Sequence, residues 1–183
     1  MGVKRGDTVV ICSENRQENL HAMIGVLCAG ATVSPLDSAC TKEEITNLFN
    51  MSKPKMIFCS PTAYHVHEEI IKKTICSKPI IYGNENIPDV LKYKDLIRDR
   101  GSIEDFKVAD VVGQTDTAVI VYTSGTTGVH KGIMLTHLNI ITACNISVLP
   151  PKYMIFCLMP WMNIKGLINA FNIFCRGNSF VYA

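Results

Sequence analysis

The chain has 183 residues, enough for one domain with a sizeable core. Hydrophobic residues make up 48% and charged residues 19%, a globular composition that excludes intrinsic disorder. A formal charge of +2, scattered and without interleaved aromatics, argues against a nucleic-acid surface.

The opening MGVKRGDTVV has charges but no apolar stretch before Asp7, so no secretory leader is expected. Gly6 stands where a myristoylation motif needs Ser or Thr. After the Gly6-Asp7 turn, Thr8–Ser13 reads as a strand of β-branched residues. Asn15 with Glu18 predicts a capped helix start, Leu20, Met23, Ile24, Leu27 and Cys28 carry helical spacing, and Gly30 ends it. ATVSPL is a second strand, and Thr41 with Glu44 forms another capping box, where Glu43 and Glu44 suit the helix dipole rather than acid–base work. Ile45, Leu48 and Phe49 give that helix an apolar face.

KMIFCS predicts a third strand, AYHVHEEIIKK a helix and PIIYG a fourth strand. His65 and His67 lie two apart and point away from each other on a helix, so a solvated face is expected there and no metal site. Pro88–Arg100 is expected to hold a short helix, and Gly101–Gly113 a connector. TAVIVYT is the clearest strand. Beyond it, Thr136 caps a helix reaching about Val148, with His137 in its first turn, and Pro150-Pro151 ends it. YMIFCLMP is a strand, Ile164–Phe174 a helix and SFVYA a final strand, with Trp161 and the methionines expected in the core. The alternation predicts an α/β fold, a mainly parallel sheet with helices on both faces. The abrupt first strand and the strand running to Ala183 read as a fragment of a larger unit.

The eight cysteines form no Cys-x-x-Cys pair and sit in apolar runs, so reduced thiols in an intracellular protein are expected. The greasiest segment, YMIFCLMPWMNI, is too short to cross a bilayer.

One loop carries chemistry. In YTSGTTGVHKG, glycines let main-chain N–H groups approach an anion, Thr123, Ser124, Thr126 and Thr127 offer hydroxyls, and Lys131 supplies positive charge. This suits a polyphosphate, although composition alone equally describes a solvated Gly/Thr turn. It is not a Walker loop, because His130-Lys131-Gly132 falls where Gly-Lys-Ser/Thr is required.

YTSGTTGVHKGIMLTHLN closely resembles the signature of the adenylate-forming superfamily, which contains acyl-CoA synthetases, 4-coumarate–CoA ligases and beetle luciferases. VKRGDTVVICSEN and GATVSPLDSACTKEEITNLFNMSKPKMIFCS extend the resemblance in order over essentially the whole chain. It implies part of the large N-terminal AMP-binding domain of that fold over residues 1–183, with the C-terminal lid domain absent. It further implies ATP-dependent, Mg²⁺-dependent activation of a carboxylic acid to an acyl-adenylate, then transfer to CoA. By the same resemblance, Thr123, Ser124, Gly125, Thr126, Thr127, Gly128 and Lys131 contact the ATP phosphates, and Lys131 stabilises the departing pyrophosphate. Relatives of this branch are often peroxisomal, sent there by a C-terminal tripeptide, so a peroxisomal location is implied as a possibility by the resemblance, and with VYA at the end the address is not readable.

Departures from the family accompany the match. His130 replaces the usual proline before the lysine and is read as a solvent-facing substitution. In PWMNIKGL, Asn163 and Lys165 occupy places that resemble acid-pocket positions, and Asn163 cannot exchange a proton near neutral pH. The adenine-gripping segments, the acidic Mg²⁺ ligand and the lid lysine lie outside the match, so the chain alone is expected to be inactive. The alternative is a truncated remnant, or a module that binds phosphate without turnover.

Overall fold

The computed structural model describes residues 2–98, 102–124, 130–146 and 152–182. β1 (Thr8–Cys12) lies between β2 (Thr32–Leu36) and β3 (Met56–Cys59), parallel to both, with Val9 opposite Val33 and Met56. Such strands are covered on both faces, which is why they read as continuous apolar runs. β4 (Ile80–Ile81) and β5 (Leu91–Lys92) extend the sheet beyond β3. On the other side β6 (Thr117–Ser124) joins β2 in parallel, and β7 (His130–Thr136) closes the described sheet antiparallel to β6. The strand order is β5-β4-β3-β1-β2-β6-β7.

Helices cover both faces, as expected. α1 (Gln17–Cys28), α5 (His137–Ile146) and α6 (Ile164–Cys175) pack with Val9, Val33, Val119 and Val121. α2 (Lys42–Ser52) and α3 (Pro61–Thr74) cover Val10, Cys12, Ile57 and Cys59 on the opposite face. Each fully buried aliphatic side chain here contributes roughly 1.5–3 kcal/mol. The capping signals at Thr41 and Thr136 are realised: Glu44 N donates to Thr41 Oγ1 (3.2 Å) and Asn139 N to Thr136 Oγ1 (3.2 Å). Gly30 follows the α1 C-cap Ala29 with φ +70°, a conformation that favours glycine.

Several expectations are corrected. Asn15 does not cap α1; its amide binds Met159 O and Trp161 N, and Arg16 stands at the N-cap with no side-chain cap. α3 starts at Pro61, two residues before the expected Ala63, because Ser60 Oγ accepts from Ala63 N and Pro61 has no N–H to satisfy. The short helix expected within Pro88–Arg100 is α4 (Tyr93–Leu96), and the strand β5 before it was not expected. The connector contains only the 3₁₀ turn Ile103–Asp105 within its described residues. The segment after the Gly/Thr loop is a strand, β7, rather than loop. β8 (Met154–Cys157) and β9 (Ser179–Tyr182) pair parallel in a separate two-stranded sheet instead of continuing the large one. The expected helix end at Val148 and Pro150-Pro151 lies outside the described residues.

His67 is also corrected. Tyr64, His67 and Ile71 share the buried stripe of α3, so His67 is 1% exposed rather than solvated, while His65 is exposed and pairs with Glu85 (3.1 Å). Trp161, Met23 and Met56 are core, but Met51, Met134 and Met154 are exposed. All cysteines are free, with Cys12, Cys59, Cys144 and Cys157 buried and Cys76 and Cys175 exposed. No helix among the described residues is long and apolar enough to cross a membrane.

Candidate functional site

The β6–β7 hairpin sets Thr123 directly opposite Lys131 and Ser124 opposite His130. Directly opposed residues of an antiparallel pair project on the same face, their Cβ atoms about 4.5–5.5 Å apart. Thr123 and Lys131 therefore share one face at the hairpin end, and both are exposed. The remaining expected phosphate contacts, Gly125, Thr126, Thr127 and Gly128, lie outside the described residues.

The other face of the hairpin is anchored twice. Tyr122 OH and Ser34 Oγ share a 2.8 Å hydrogen bond that ties β6 to β2. His130 Nε2 lies 3.5 Å from Glu44 Oε1 at the start of α2, so the residue in the proline's place pairs with a carboxylate. Glu44 is held below the ordinary carboxylate range, first by the Thr41 amide, then by the Thr41 hydroxyl, with His130 adding to both. Gly132 faces Tyr122 across the ladder, and a Cβ there would lie 3.3 Å from Ile120 Cγ2 and 3.5 Å from Tyr122 Cε1. A side chain there would press on the Ile120 side chain and only touch the Tyr122 ring, so the position favours a small residue. In the sequence Glu44 reads only as a helix cap, and nothing local signals a partner 86 residues further on.

Two concavities lie at the carboxyl ends of β1 and β2, the first of them against the hairpin. One, of about 300 Å³, is walled by Leu36, Cys40, Glu44, Tyr122, His130 and Met162. It brings the Pro160–Leu167 segment beside the hairpin through Met162. A second, of about 240 Å³, shares Pro35, Leu36, Asp37 and Met162 with the first and continues beneath Trp161. Asn163 caps α6, accepting from Gly166 N at 2.8 Å, and Lys165 is exposed on the first turn of that helix. Neither lines either concavity. Burial pushes the Cys12 thiol, at the end of β1, well above its ordinary value, which keeps it protonated.

A parallel sheet wound on both faces, with an antiparallel hairpin at one border, defines the molecule as a doubly wound α/β protein. The AMP-binding enzyme family matches along residues 1–183, and the chain belongs to it. It is 30% identical to a luciferin 4-monooxygenase of Photuris pensylvanica over 146 residues, 76% of this chain and 27% of the relative. It is 27% identical to a 4-coumarate–CoA ligase-like protein of Arabidopsis thaliana over 174 residues, 92% of this chain and 31% of the relative. The chain thus spans about a third of the length of these relatives. A red-emitting luciferase of Phrixothrix hirtus has the same fold, with TM-score 0.87, 24% identity, and coverage of 99% of this chain and 37% of that one. A long-chain-fatty-acid–CoA ligase of Archaeoglobus fulgidus superposes with TM-score 0.82 at 25% identity, over 98% of this chain and 36% of that one.

Proposed function

We propose that residues 1–183 form part of the large N-terminal AMP-binding domain of an adenylate-forming acid–CoA ligase. In this reading the carboxylate oxygen of an organic acid attacks the α-phosphorus of ATP. The bond to the β-phosphate oxygen breaks, and pyrophosphate leaves with the electron pair. CoA thiolate then attacks the acyl carbon and releases AMP. Mg²⁺, when bound with the nucleotide, would supply charge neutralisation at the phosphates.

The observation that carries the proposal is the cross-strand pair Thr123–Lys131 at the hairpin end, in a chain matched by the family throughout. An ammonium group and a hydroxyl on one exposed face suit the β- and γ-phosphates. The Gly125–Gly128 donors complete the set by resemblance. The two anchors leave this face to the ligand, because Tyr122 and His130 bind on the other.

Titration calorimetry of the chain with ATP and with pyrophosphate tests this. Binding of both is expected, with Lys131→Ala weakening each on the order of tenfold, the equivalent of about 1.4 kcal/mol. Absence of heat with either ligand rejects the phosphate site. A second reading, phosphate binding without turnover, is favoured by Asn163, whose amide oxygen is already engaged by Gly166 N and cannot relay a proton. Pyrophosphate release from a longer protein carrying this segment, across a panel of acids, separates the two.

A further inference from the structure

The concavity of about 240 Å³ at the carboxyl ends of β1 and β2 has no role in the phosphate reading, yet its wall is unusually polar for a core position. Asn19 and Trp161 are each 2% exposed and both line it. Asn19 Nδ2 donates to Glu14 O at 2.7 Å, but Asn19 Oδ1 has no partner, and neither does Trp161 Nε1. Ser13 Oγ, also in the wall, is shielded and unpartnered too. A buried polar atom left without a hydrogen bond costs roughly 1–3 kcal/mol, and three at one cavity call for a ligand that satisfies them.

The charge in the wall selects the ligand's sign. Asp37 and Glu14 are its only ionisable groups among the described residues. Glu14 is partly balanced by Arg16 at 3.1 Å. Asp37 Oδ1 accepts from Ala39 N at 2.9 Å, and Asp37 Oδ2 has no hydrogen-bond partner among the described residues. Carboxylates repel a phosphate or a carboxylate and attract a cation. Asn19 Oδ1 and Asp37 are acceptors, which suits an N–H-bearing cation, whereas the indole N–H needs an acceptor on the same molecule. Apolar neighbours such as Leu36, together with the indole itself, favour an organic ammonium over a strongly hydrated metal ion.

We propose that this cavity binds a small organic ammonium ion carrying a hydroxyl group, an amino alcohol. The ammonium donates to Asp37 Oδ2 and Asn19 Oδ1, the hydroxyl oxygen accepts from Trp161 Nε1, and Ser13 Oγ completes the ring of contacts. The site is separate from the Thr123–Lys131 face of the hairpin.

Trp161 is the single tryptophan of the chain, so in the folded protein all tryptophan emission comes from the wall of this cavity. Three probes of nearly equal size, ethanolammonium, ethylene glycol and glycolate, are titrated into the 183-residue chain at constant ionic strength. A saturable emission change is expected with ethanolammonium only. Asp37→Asn keeps the acceptor for Ala39 N and is expected to weaken the probe at least about tenfold, with an unchanged circular dichroism melt confirming its fold. Ser13→Ala is expected to weaken it less. No saturation with ethanolammonium, equal or tighter binding of glycolate, the same response to MgCl₂, or an unaffected Asp37→Asn overturns the assignment.

Discussion

Gly166 and Gly25 make opposite demands on the chain. A Cβ on Gly166 would sit 2.1 Å from Pro160 O and 2.7 Å from its carbonyl carbon, a clash with backbone that only a shift of the α6 start relieves. Gly166→Ala is therefore expected to destabilise by at least about 1–3 kcal/mol. A Cβ on Gly25, in the exposed middle of α1, meets nothing within 4 Å. Gly25→Ala is expected to stabilise by about 0.5–1 kcal/mol, since alanine loses less backbone freedom on forming a helix. Urea midpoints of the two variants, at unchanged slope, check both signs. His67 makes a pH-dependent demand. Burial holds its pKa below the ordinary histidine value and Lys42 adds to this, against an opposing contribution from the Ser38 main chain. The unfolded chain then binds more protons than the folded one between the lowered folded value and about 6.5, so stability falls as pH drops through that window. His67→Leu keeps the apolar contact and removes the titration. Its urea midpoint is expected to vary less than wild type between pH 7 and 5, the remaining slope coming from His137, also lowered by burial. An unchanged slope would exclude His67 as its source.

At the level of elements, Asn15 shows what a local pattern cannot see. Its amide accepts from Trp161 N at 2.9 Å and donates to Met159 O at 3.1 Å, clasping the turn before α6 to the entry of α1. Asn15→Ala leaves two main-chain groups without partners and is expected to cost roughly 2–3 kcal/mol, read as a lower thermal midpoint. Were Asn15 a simple helix cap, the same variant would cost only about 1 kcal/mol. The capping reading failed because Glu18 is engaged by Arg16 at 2.9 Å and the Asn15 partners lie far along the chain. Elements with a strong local signature were legible: the apolar strand runs, the Thr41–Glu44 box, and the Asn139–Thr136 cap seen only as its threonine. β5 escaped because two residues carry no period, and β7 because the glycine-rich approach and Gly132 looked like loop. Of the candidate site, Thr123 and Lys131 were readable from the motif, but their register came only with the hairpin. The cap made by Asn163 is written in the sequence as an amide side chain just before an apolar helix.

For the molecule as a whole, the alternating pattern implied parallel pairing correctly, yet nothing in β8 or β9 states which sheet they join. Allocation depends on which faces are covered, and that is settled by packing between distant segments. The division into two sheets does not divide the core. Trp161, Leu167, Ala170 and Phe171 belong to the same buried cluster as Val9, Leu20 and Met23, with Phe180 and Tyr182 packed against it. Trp161 stacks edge-on to Phe180 at 5.5 Å and to Tyr182 at 5.3 Å. Unfolding is therefore expected to be a single transition, with tryptophan emission and far-ultraviolet circular dichroism giving coincident urea curves. An emission midpoint clearly below the dichroism midpoint would mean that the smaller sheet detaches first.

β7 closes the large sheet with nothing hydrogen-bonded beyond it among the described residues, and Ile133 and Met134 stand 45% and 65% exposed along it. Seven residues of free ladder beside aliphatic side chains form a template on which another extended chain can grow. Lys131 is the only strongly charged gatekeeper on that strand, so the ammonium group that suits phosphate also discourages copies of the chain from zipping together. A bound polyphosphate would neutralise it and loosen that restraint, which couples ligand occupancy to colloidal behaviour through one side chain.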